Sequence, residues 1–256
     1  MPDPFDQQTP VVRKLPIIIL IDVSGTMHED QKIGSVNNAI SEALEKLEDM
    51  EVSQGIEIVI NALTFGHTEH PQCRWMFEQM MQLNAVSWQN LSAEGNTPLG
   101  DAYFELDSKL TSHGGFMTAP SAIYAPVLIL ITDGMPSNRK KVEEGLDRLK
   151  SNSWFLNSVR RALGIGLRTD AERQYLYDFV GGNPDYVYLS DSDSPSLVAS
   201  IKPVIIDTAL FGATRVIHNA LKNKDNEPPS ENNEHNVEKI EEEPEQDNPQ
   251  IVSEEE

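Results

Sequence analysis

Apolar and polar positions follow two patterns along this chain, one typical of strands and the other of helices. Two uninterrupted apolar runs, at 17–21 and 127–131, consist entirely of Ile, Leu and Val. Short continuous runs of this kind are typical of strands that are buried on both faces of a parallel sheet. Between them, the segment 31–50 carries apolar residues at helical spacing. These residues are Ile33, Val36, Ile40, Leu44 and Leu47.

The same patterns predict six strands and five helices. The predicted strands lie at 15–22, 56–65, 74–83, 127–133, 158–167 and 186–189, and the predicted helices at 31–50, 98–110, 138–150, 170–180 and 194–206. Because only a short connection separates the second and third strands, this pair is expected to be antiparallel. The alternation of the other strands with helices indicates an α/β fold. We expect a doubly wound, mostly parallel six-stranded sheet with one antiparallel edge strand and a switch point between the first and fourth strands.

Three segments place oxygen-bearing side chains where a predicted strand ends or a predicted helix begins. Asp22 ends the first apolar run and is followed by Ser24 and Thr26 in the sequence DVSGTM. Between the two runs, Thr97 opens the predicted helix at 98–110 in the sequence GNTPLG. Asp133 follows the second run in the sequence ITDGMPS. Because the carboxyl ends of parallel strands form the usual ligand-binding edge of an α/β sheet, these side chains are expected to converge there.

The five side chains offer the hard oxygen ligands that Mg²⁺ prefers, with Mn²⁺ as an alternative, and the set contains no thiolate or imidazole. Three of the ligands are neutral hydroxyls, so the bound cation keeps much of its charge. A protein partner is therefore expected to supply an Asp or Glu to its open position. Without metal, Asp22 and Asp133 are expected to repel each other. Asp133→Ala should then weaken metal binding and leave the fold intact or slightly more stable.

Each segment also has an ordinary structural interpretation. Asp22 and Ser24 are common helix-capping residues, Thr97 before a proline is a common start of a helix, and Asp133 before a glycine is a common turn. Capping alone does not explain why all three segments are predicted to meet at one edge of the sheet. The metal site is therefore the preferred interpretation.

The three segments resemble the metal-ion-dependent adhesion site, or MIDAS, of von Willebrand factor A (VWA) domains. The family pattern is Asp-x-Ser-x-Ser, then a Thr, then an Asp. It falls on Asp22, Ser24, Thr26, Thr97 and Asp133. Thr26 replaces the second Ser of the pattern, which keeps the hydroxyl and adds a methyl group. The resemblance implies a Rossmann-like VWA fold and a non-catalytic, Mg²⁺-dependent protein-binding module.

The amino-acid sequences of the three segments most resemble those of the tellurium-resistance TerY-like branch of bacterial VWA proteins. This resemblance implies a role in bacterial tellurium resistance or stress response, with a kinase or phosphatase encoded nearby as a partner. A cofactor of an AAA-type ATPase is a second non-enzymatic alternative, since other intracellular members of the family have that role.

An enzymatic alternative starts from the same strand end, because an Asp after an apolar strand also opens the haloacid-dehalogenase-like phosphotransferases. Those enzymes need a second Asp two residues later as general acid. Here this position is Ser24, which does not protonate a leaving group at neutral pH. The three segments contain no His to activate a hydroxyl, and His28 is the nearest one. The sequence therefore predicts a protein that is not an enzyme, with a metal-dependent phosphatase as the less favoured alternative.

Charge divides the chain into a body and an acidic tail. The formal net charge of the 256 residues is −21, and residues 222–256 contain thirteen acidic residues against three lysines. This segment lacks apolar periodicity and is expected to be disordered. The predicted organisation is an N-terminal extension at 1–12, a VWA domain at 13–221 and the acidic tail at 222–256. The negative charge makes nucleic acid and anionic membranes unfavourable partners.

The remaining features favour a cytoplasmic protein. A single cysteine, Cys73, excludes a disulfide framework, and the first residues lack a basic region followed by an apolar stretch. The longest uninterrupted apolar run, at 16–21, is too short to span a membrane. One loop with His67, His70 and Cys73 offers three zinc-compatible ligands without an evident fourth. A polar loop is the preferred interpretation of that segment.

Overall fold

The computed structural model describes residues 13–118, 123–192 and 194–225. The predicted N-terminal extension at 1–12 and the predicted tail from residue 226 onwards lie outside the described residues. The strands are β1 (Lys14–Asp22), β2 (Glu57–Phe65), β3 (Cys73–Trp75), β4 (Met81–Gln82), β5 (Val127–Thr132), β6 (Val159–Ile165) and β7 (Val187–Ser190). The helices are α1 (Lys32–Gln54), α2 (Leu99–Lys109), α3 (Arg139–Lys150), α4 (Ser153–Asn157), α5 (Asp170–Val180) and α6 (Ser194–Asp225).

The strands form one sheet with the order β3-β2-β1-β5-β6-β7, and β4 also pairs with β2. Strands β1, β2, β5, β6 and β7 are parallel, whereas β3 and β4 run antiparallel to β2. The predicted α/β fold with a mostly parallel, doubly wound sheet is confirmed. Chain order reverses between β1 and β5, which is the predicted switch point. The described residues up to His218 belong to one compact unit.

The apolar run of β1 is buried on both faces of the sheet. Ile17, Ile19 and Ile21 face one cluster, which contains the buried sides of α1 and α6. Ile18 and Leu20 face the other cluster, which contains the buried sides of α2, α3 and α5. Because side chains alternate between the faces of a strand, a strand covered by helices on both sides needs an apolar residue at every position. This burial explains the uninterrupted run in the sequence.

The antiparallel edge differs from the sequence prediction, since the single strand expected at 74–83 is divided into β3 and β4. The buried Asn61 side chain on β2 causes this division. Its Nδ2 donates hydrogen bonds to the Phe77 carbonyl at 2.9 Å and to the Gln79 carbonyl at 3.1 Å. These bonds hold the intervening backbone away from the ladder, so the sheet formed by the described residues has seven strands rather than six.

The last helix is much longer than predicted. The expected helix ended at residue 206, whereas α6 continues to Asp225 and includes the first four residues of the predicted tail. Its buried residues recur at helical spacing on the sheet, for example Leu197, Ile201, Ile205 and Ala209. Within the described residues, the stretch Ser196–Arg215 is also long and apolar enough to cross a membrane by length and composition alone. A helix buried against a domain core meets the same criterion.

Candidate metal site

The two predicted aspartates stand at the ends of neighbouring strands. Strands β1 and β5 are parallel, with Ile21 opposite Ile131. Asp22 is the last residue of β1, and Asp133 lies one residue beyond the end of β5. Both residues therefore lie at the carboxyl edge of the sheet beside its switch point, as the sequence predicts.

Asp22 is a fully buried carboxylate. Its Oδ1 accepts a hydrogen bond from the Ser24 backbone N–H at 2.9 Å, and its Oδ2 accepts one from the Thr132 hydroxyl at 2.5 Å. These bonds favour the ionised form. Burial outweighs them and raises the pKa of Asp22 to about 6, with a smaller upward contribution from the charge of Asp133. The pocket thus holds a negative charge that a bound cation would stabilise.

Asp133 is held by a hydroxyl and by an ammonium group. Its Oδ1 accepts a hydrogen bond from the Thr26 hydroxyl at 2.9 Å, and the Thr26 and Ser24 hydroxyl oxygens are 3.2 Å apart. The Nζ of Lys32 lies 2.8 Å from Oδ2 of Asp133. The side chain of Asp133 is fully buried and that of Lys32 is 9% exposed, so this is a buried ion pair. The sequence predicts that Asp133 is repelled by Asp22 when metal is absent. In the structure, Asp133 is also attracted to the Lys32 ammonium.

The loop before α2 brings Thr97 to the same edge. The Thr97 backbone N–H donates to the Ser137 hydroxyl at 2.9 Å, and its carbonyl accepts from the Ser137 backbone N–H at 2.9 Å. Two residues earlier, the Gly95 carbonyl accepts from the Gly25 N–H at 3.0 Å. The loop is thus bonded both to the turn that follows β1 and to the turn that follows β5.

Two glycines allow these loops to approach each other. Gly66, which follows β2, has a φ of 130°, and a Cβ at this position would lie 2.5 Å from the backbone nitrogen of Ser24. Gly95 has a φ of 68°, and a Cβ there would lie 2.3 Å from the Gly66 carbonyl oxygen. Any larger residue at either position would push the loops apart and disturb the backbone around Ser24.

Four of the five predicted side chains therefore lie in one hydrogen-bonded group, and the backbone of Thr97 is tied to the same loops. Sequence reasoning missed two residues that complete the surroundings of the aspartates, namely Thr132 and Lys32. Thr132 directly precedes Asp133, and the alternation of side chains along β5 provides a signal for its different orientation. Lys32 has no such signal, because its contact with Asp133 joins residues 101 positions apart in the chain.

The loop at 67–73 is polar, as preferred from the sequence. The two ring nitrogens of His67 lie 2.9 Å from the Thr64 hydroxyl and 3.2 Å from a Glu94 carboxylate oxygen. Cys73 is buried, which raises the pKa of its thiol to about 12 and disfavours the thiolate that binds zinc. Across the described residues, no three His, Cys, Asp or Glu side chains form a group that could hold a metal ion. The candidate site at the sheet edge instead combines two carboxylates with hydroxyls.

The residues at the sheet edge fit a hard divalent cation. Carboxylate and hydroxyl oxygens are the ligands that Mg²⁺ and Mn²⁺ accept, and they are all that the predicted set contains. The buried Asp22 adds a physical reason for a cation. Burial destabilises its ionised form, and no basic side chain among the described residues is hydrogen-bonded to it.

A family model described as the von Willebrand factor type A domain matches residues 17–202. This match spans more than half of the chain, so the protein belongs to the VWA family. It includes all three segments on which the resemblance was based. The search of curated proteins found no significant match.

Several solved structures have the same fold. The pilus adhesin SpaC from Lactobacillus rhamnosus GG matches with 15% identity and a TM-score of 0.59, over 78% of this chain and 31% of SpaC. The vWF domain of the type V pili tip protein Mfa5 from Porphyromonas gingivalis matches with 9% identity and a TM-score of 0.56, over 78% of this chain and 96% of that one.

A third match is proximal thread matrix protein 1 from the mussel byssus, in a structure with a zinc-occupied MIDAS motif. Its identity is 15% and its TM-score 0.52, over 78% of this chain and 46% of the mussel protein. The chain thus spans about a third of SpaC and less than half of the mussel protein. At these identities the likeness establishes the VWA fold.

Proposed function

We propose that this protein is a non-catalytic, Mg²⁺-dependent protein-binding module, with Mn²⁺ as an alternative metal. The observation that carries this proposal is the buried Asp22 carboxylate, linked through Ser24 and Thr26 to the second carboxylate at Asp133. The zinc-occupied MIDAS motif of the mussel matrix protein supports a divalent cation in a VWA domain.

The residues that would hold the metal are Asp22, Ser24, Thr26, Thr97 and Asp133. When bound, the cation supplies an electrophilic position for an oxygen ligand from outside the chain. A protein partner with an Asp or Glu fits this position, since a carboxylate is the strongest hard-oxygen ligand among the side chains. Without the cation, the same approach would bring an acid towards Asp22 and Asp133 on a chain with a net charge of −21. Binding is therefore strictly metal-dependent.

The type of protein partner is inferred from the relatives and from the segments. The pilus adhesin SpaC and the pilus tip protein Mfa5 support protein binding rather than catalysis. The resemblance of the three segments to the TerY-like branch supports a cytoplasmic role in bacterial tellurium resistance or stress response. A kinase or phosphatase encoded nearby is then the partner. An AAA-type ATPase is the alternative partner.

Catalysis has less support from the site. In the part of the chain that the structure describes, the Ser24 hydroxyl lies beside the Thr26 hydroxyl, and no histidine contacts it. A metal-dependent phosphatase would need a base at this hydroxyl or a second carboxylic acid in its place.

A metal titration tests the proposal first. Isothermal titration of the full chain with Mg²⁺ and with Mn²⁺ should show binding, and Thr97→Ala should weaken it at least about tenfold, or about 1.4 kcal/mol. Thr214→Ala is a matched control, because Thr214 is an exposed threonine on α6 whose hydroxyl only donates to the Leu210 carbonyl. Equal affinities for the two variants would remove Thr97 from the site, and no binding by the wild type would refute the metal site.

The partner is tested separately. Purification of the chain from its native cell in Mg²⁺ and then in a chelator identifies proteins whose binding needs the metal. In the identified partner, one Asp or Glu substitution should weaken binding by more than about tenfold with Mg²⁺ present. If no single acidic substitution does so, the partner does not coordinate the metal directly.

A further inference from the structure

Lys32 introduces a positive charge directly beside the proposed metal site. It is the first residue of α1, and its Nζ donates to Oδ2 of Asp133 at 2.8 Å and to the Thr26 carbonyl at 3.2 Å. Its side chain is nine-tenths buried, and the carboxylate that it contacts is fully buried. An ion pair with so little access to water is weakly screened, so its charge acts strongly on anything that binds to the same oxygens.

The backbone before Lys32 adopts an unfavourable conformation that places the side chain there. Asp30 and Gln31 have φ values of 51° and 56°, in the left-handed region that non-glycine residues rarely occupy. They redirect the chain from the turn after β1 into α1, whose first residue then lies beside Asp133. Backbone strain of this kind persists only where the surrounding structure holds it, and it is concentrated at functional sites.

The charges at the site change sign when a divalent cation binds. Asp22 and Asp133 contribute two negative charges and Lys32 one positive charge, so the metal-free group has a net charge of −1 when both carboxylates are ionised. With a divalent cation the net charge becomes +1. Glu29 also lies 4.0 Å from the Lys32 Nζ, but its side chain is 72% exposed and its charge is screened by water.

We propose that Lys32 is a built-in counter-cation that holds Asp133 in place without metal, lowers the affinity of the site for Mg²⁺, and leaves the loaded site net positive for an acidic partner. This inference rests on the proposed function, because it assigns a role to Lys32 at the same metal site. The ammonium is attracted to the Asp133 oxygen that metal binding also requires, and it repels an incoming divalent cation. Lys32 is thus a positioning residue rather than a metal ligand.

The test compares three variants of the full chain by calorimetric titration with Mg²⁺ and by thermal unfolding in EDTA. Lys32→Met removes the charge, and Lys32→Gln removes the charge but keeps a hydrogen-bond donor for Asp133. Lys202→Met is the matched control, because Lys202 forms an ion pair with Glu42 at the same distance of 2.8 Å on the exposed surface. The Lys202 side chain is 34% exposed, so its ion pair contributes little to the free energy of unfolding.

Both Lys32 variants should bind Mg²⁺ at least about tenfold more tightly than the wild type, or about 1.4 kcal/mol. Lys32→Met should also lower the midpoint of unfolding in EDTA by about 10 °C, because it leaves a buried carboxylate without its partner. Lys202→Met should change neither quantity. If Lys32→Met is unfolded in EDTA, refolding on addition of Mg²⁺ supports the proposal, and failure to refold contradicts it.

An unchanged or weaker Mg²⁺ affinity in Lys32→Gln overturns the role of Lys32 while leaving the metal site intact. Absence of Mg²⁺ and Mn²⁺ binding in the wild type refutes the metal site itself and, with it, this inference. The two failures are therefore distinguished by the wild-type titration alone.

Discussion

Asp22 and Asp133 follow neighbouring parallel strands, but their carboxylates have opposite electrostatic surroundings. Among the described residues, the hydrogen bonds to Asp22 come from neutral groups of Ser24 and Thr132, and burial raises its pKa to about 6. Asp133 is equally removed from water, but it has the Lys32 ammonium at 2.8 Å. Burial disfavours the charged form of Asp22, whereas the Asp133 carboxylate lies in an ion pair with Lys32. A cation that binds at this edge therefore compensates the negative charge of Asp22 after β1. After β5, it competes with the Lys32 ammonium for the Asp133 carboxylate.

The largest expected effect comes from removing the charge at Asp133. Asp133→Ala leaves the buried Lys32 ammonium without its carboxylate, which should lower the free energy of unfolding in EDTA by about 3 to 5 kcal/mol. This direction is opposite to the one expected from the repulsion between the two aspartates alone. The measurement is the urea unfolding midpoint at constant slope.

A double variant provides the control for this effect. Lys32→Met combined with Asp133→Ala removes both members of the ion pair, so it should be more stable than Asp133→Ala alone. If the two destabilisations simply add, Lys32 and Asp133 are not energetically coupled and the contrast with Asp22 is wrong.

Removing the charge at Asp22 should have the opposite sign. Asp22→Asn keeps an acceptor for the Ser24 amide, and its new amide group can donate to the Thr132 hydroxyl oxygen. In the folded wild type, the Asp22 carboxyl has a pKa of about 6, whereas its ordinary pKa is 3.8. The protonated carboxyl contributes stability that is fully present below about pH 4 and is lost as the pH rises through about 6.

We therefore expect metal-free Asp22→Asn to be more stable than the wild type by about 3 kcal/mol at pH 7, since each pKa unit corresponds to about 1.36 kcal/mol. The difference should vanish below pH 4, and the variant should lose Mg²⁺ binding. Denaturant unfolding of both proteins in EDTA at pH 4, 5, 6 and 7 measures the difference. A difference that does not depend on pH would show that Asp22 is not the titrating group.

The smallest effect concerns the hydroxyls that donate to each carboxylate. Thr132→Val removes the 2.5 Å bond to the otherwise poorly stabilised Asp22 and should cost about 2 kcal/mol, within the range for a hydrogen bond to a charged group. Thr26→Val removes the 2.9 Å bond to Asp133, which keeps Lys32, and should cost about 1 kcal/mol. Thermal unfolding of both variants in EDTA gives the ranking, and a reversed order would contradict the comparison.

The sequence by itself determined the parallel strands of the sheet and the place of both aspartates. An uninterrupted apolar run such as 17–21 is compatible with few structures other than a strand covered on both faces, and the residue after it is then at the sheet edge. The order of strands and helices set the switch point. These inferences succeed because each depends on residues that are close together in the chain.

Only the tertiary structure decided what surrounds each carboxylate. Lys32 reaches Asp133 across 101 positions, and Thr132 reaches Asp22 across 110. Asn61 likewise divides the predicted edge strand through bonds to a distant loop, and α6 extends beyond its predicted end because its apolar positions find a place on the sheet. A hydrophobic pattern indicates which face of a helix or strand is buried. It does not indicate which polar group of another element contacts a given side chain. The ion pair and the neutral pocket were therefore fixed by packing between elements.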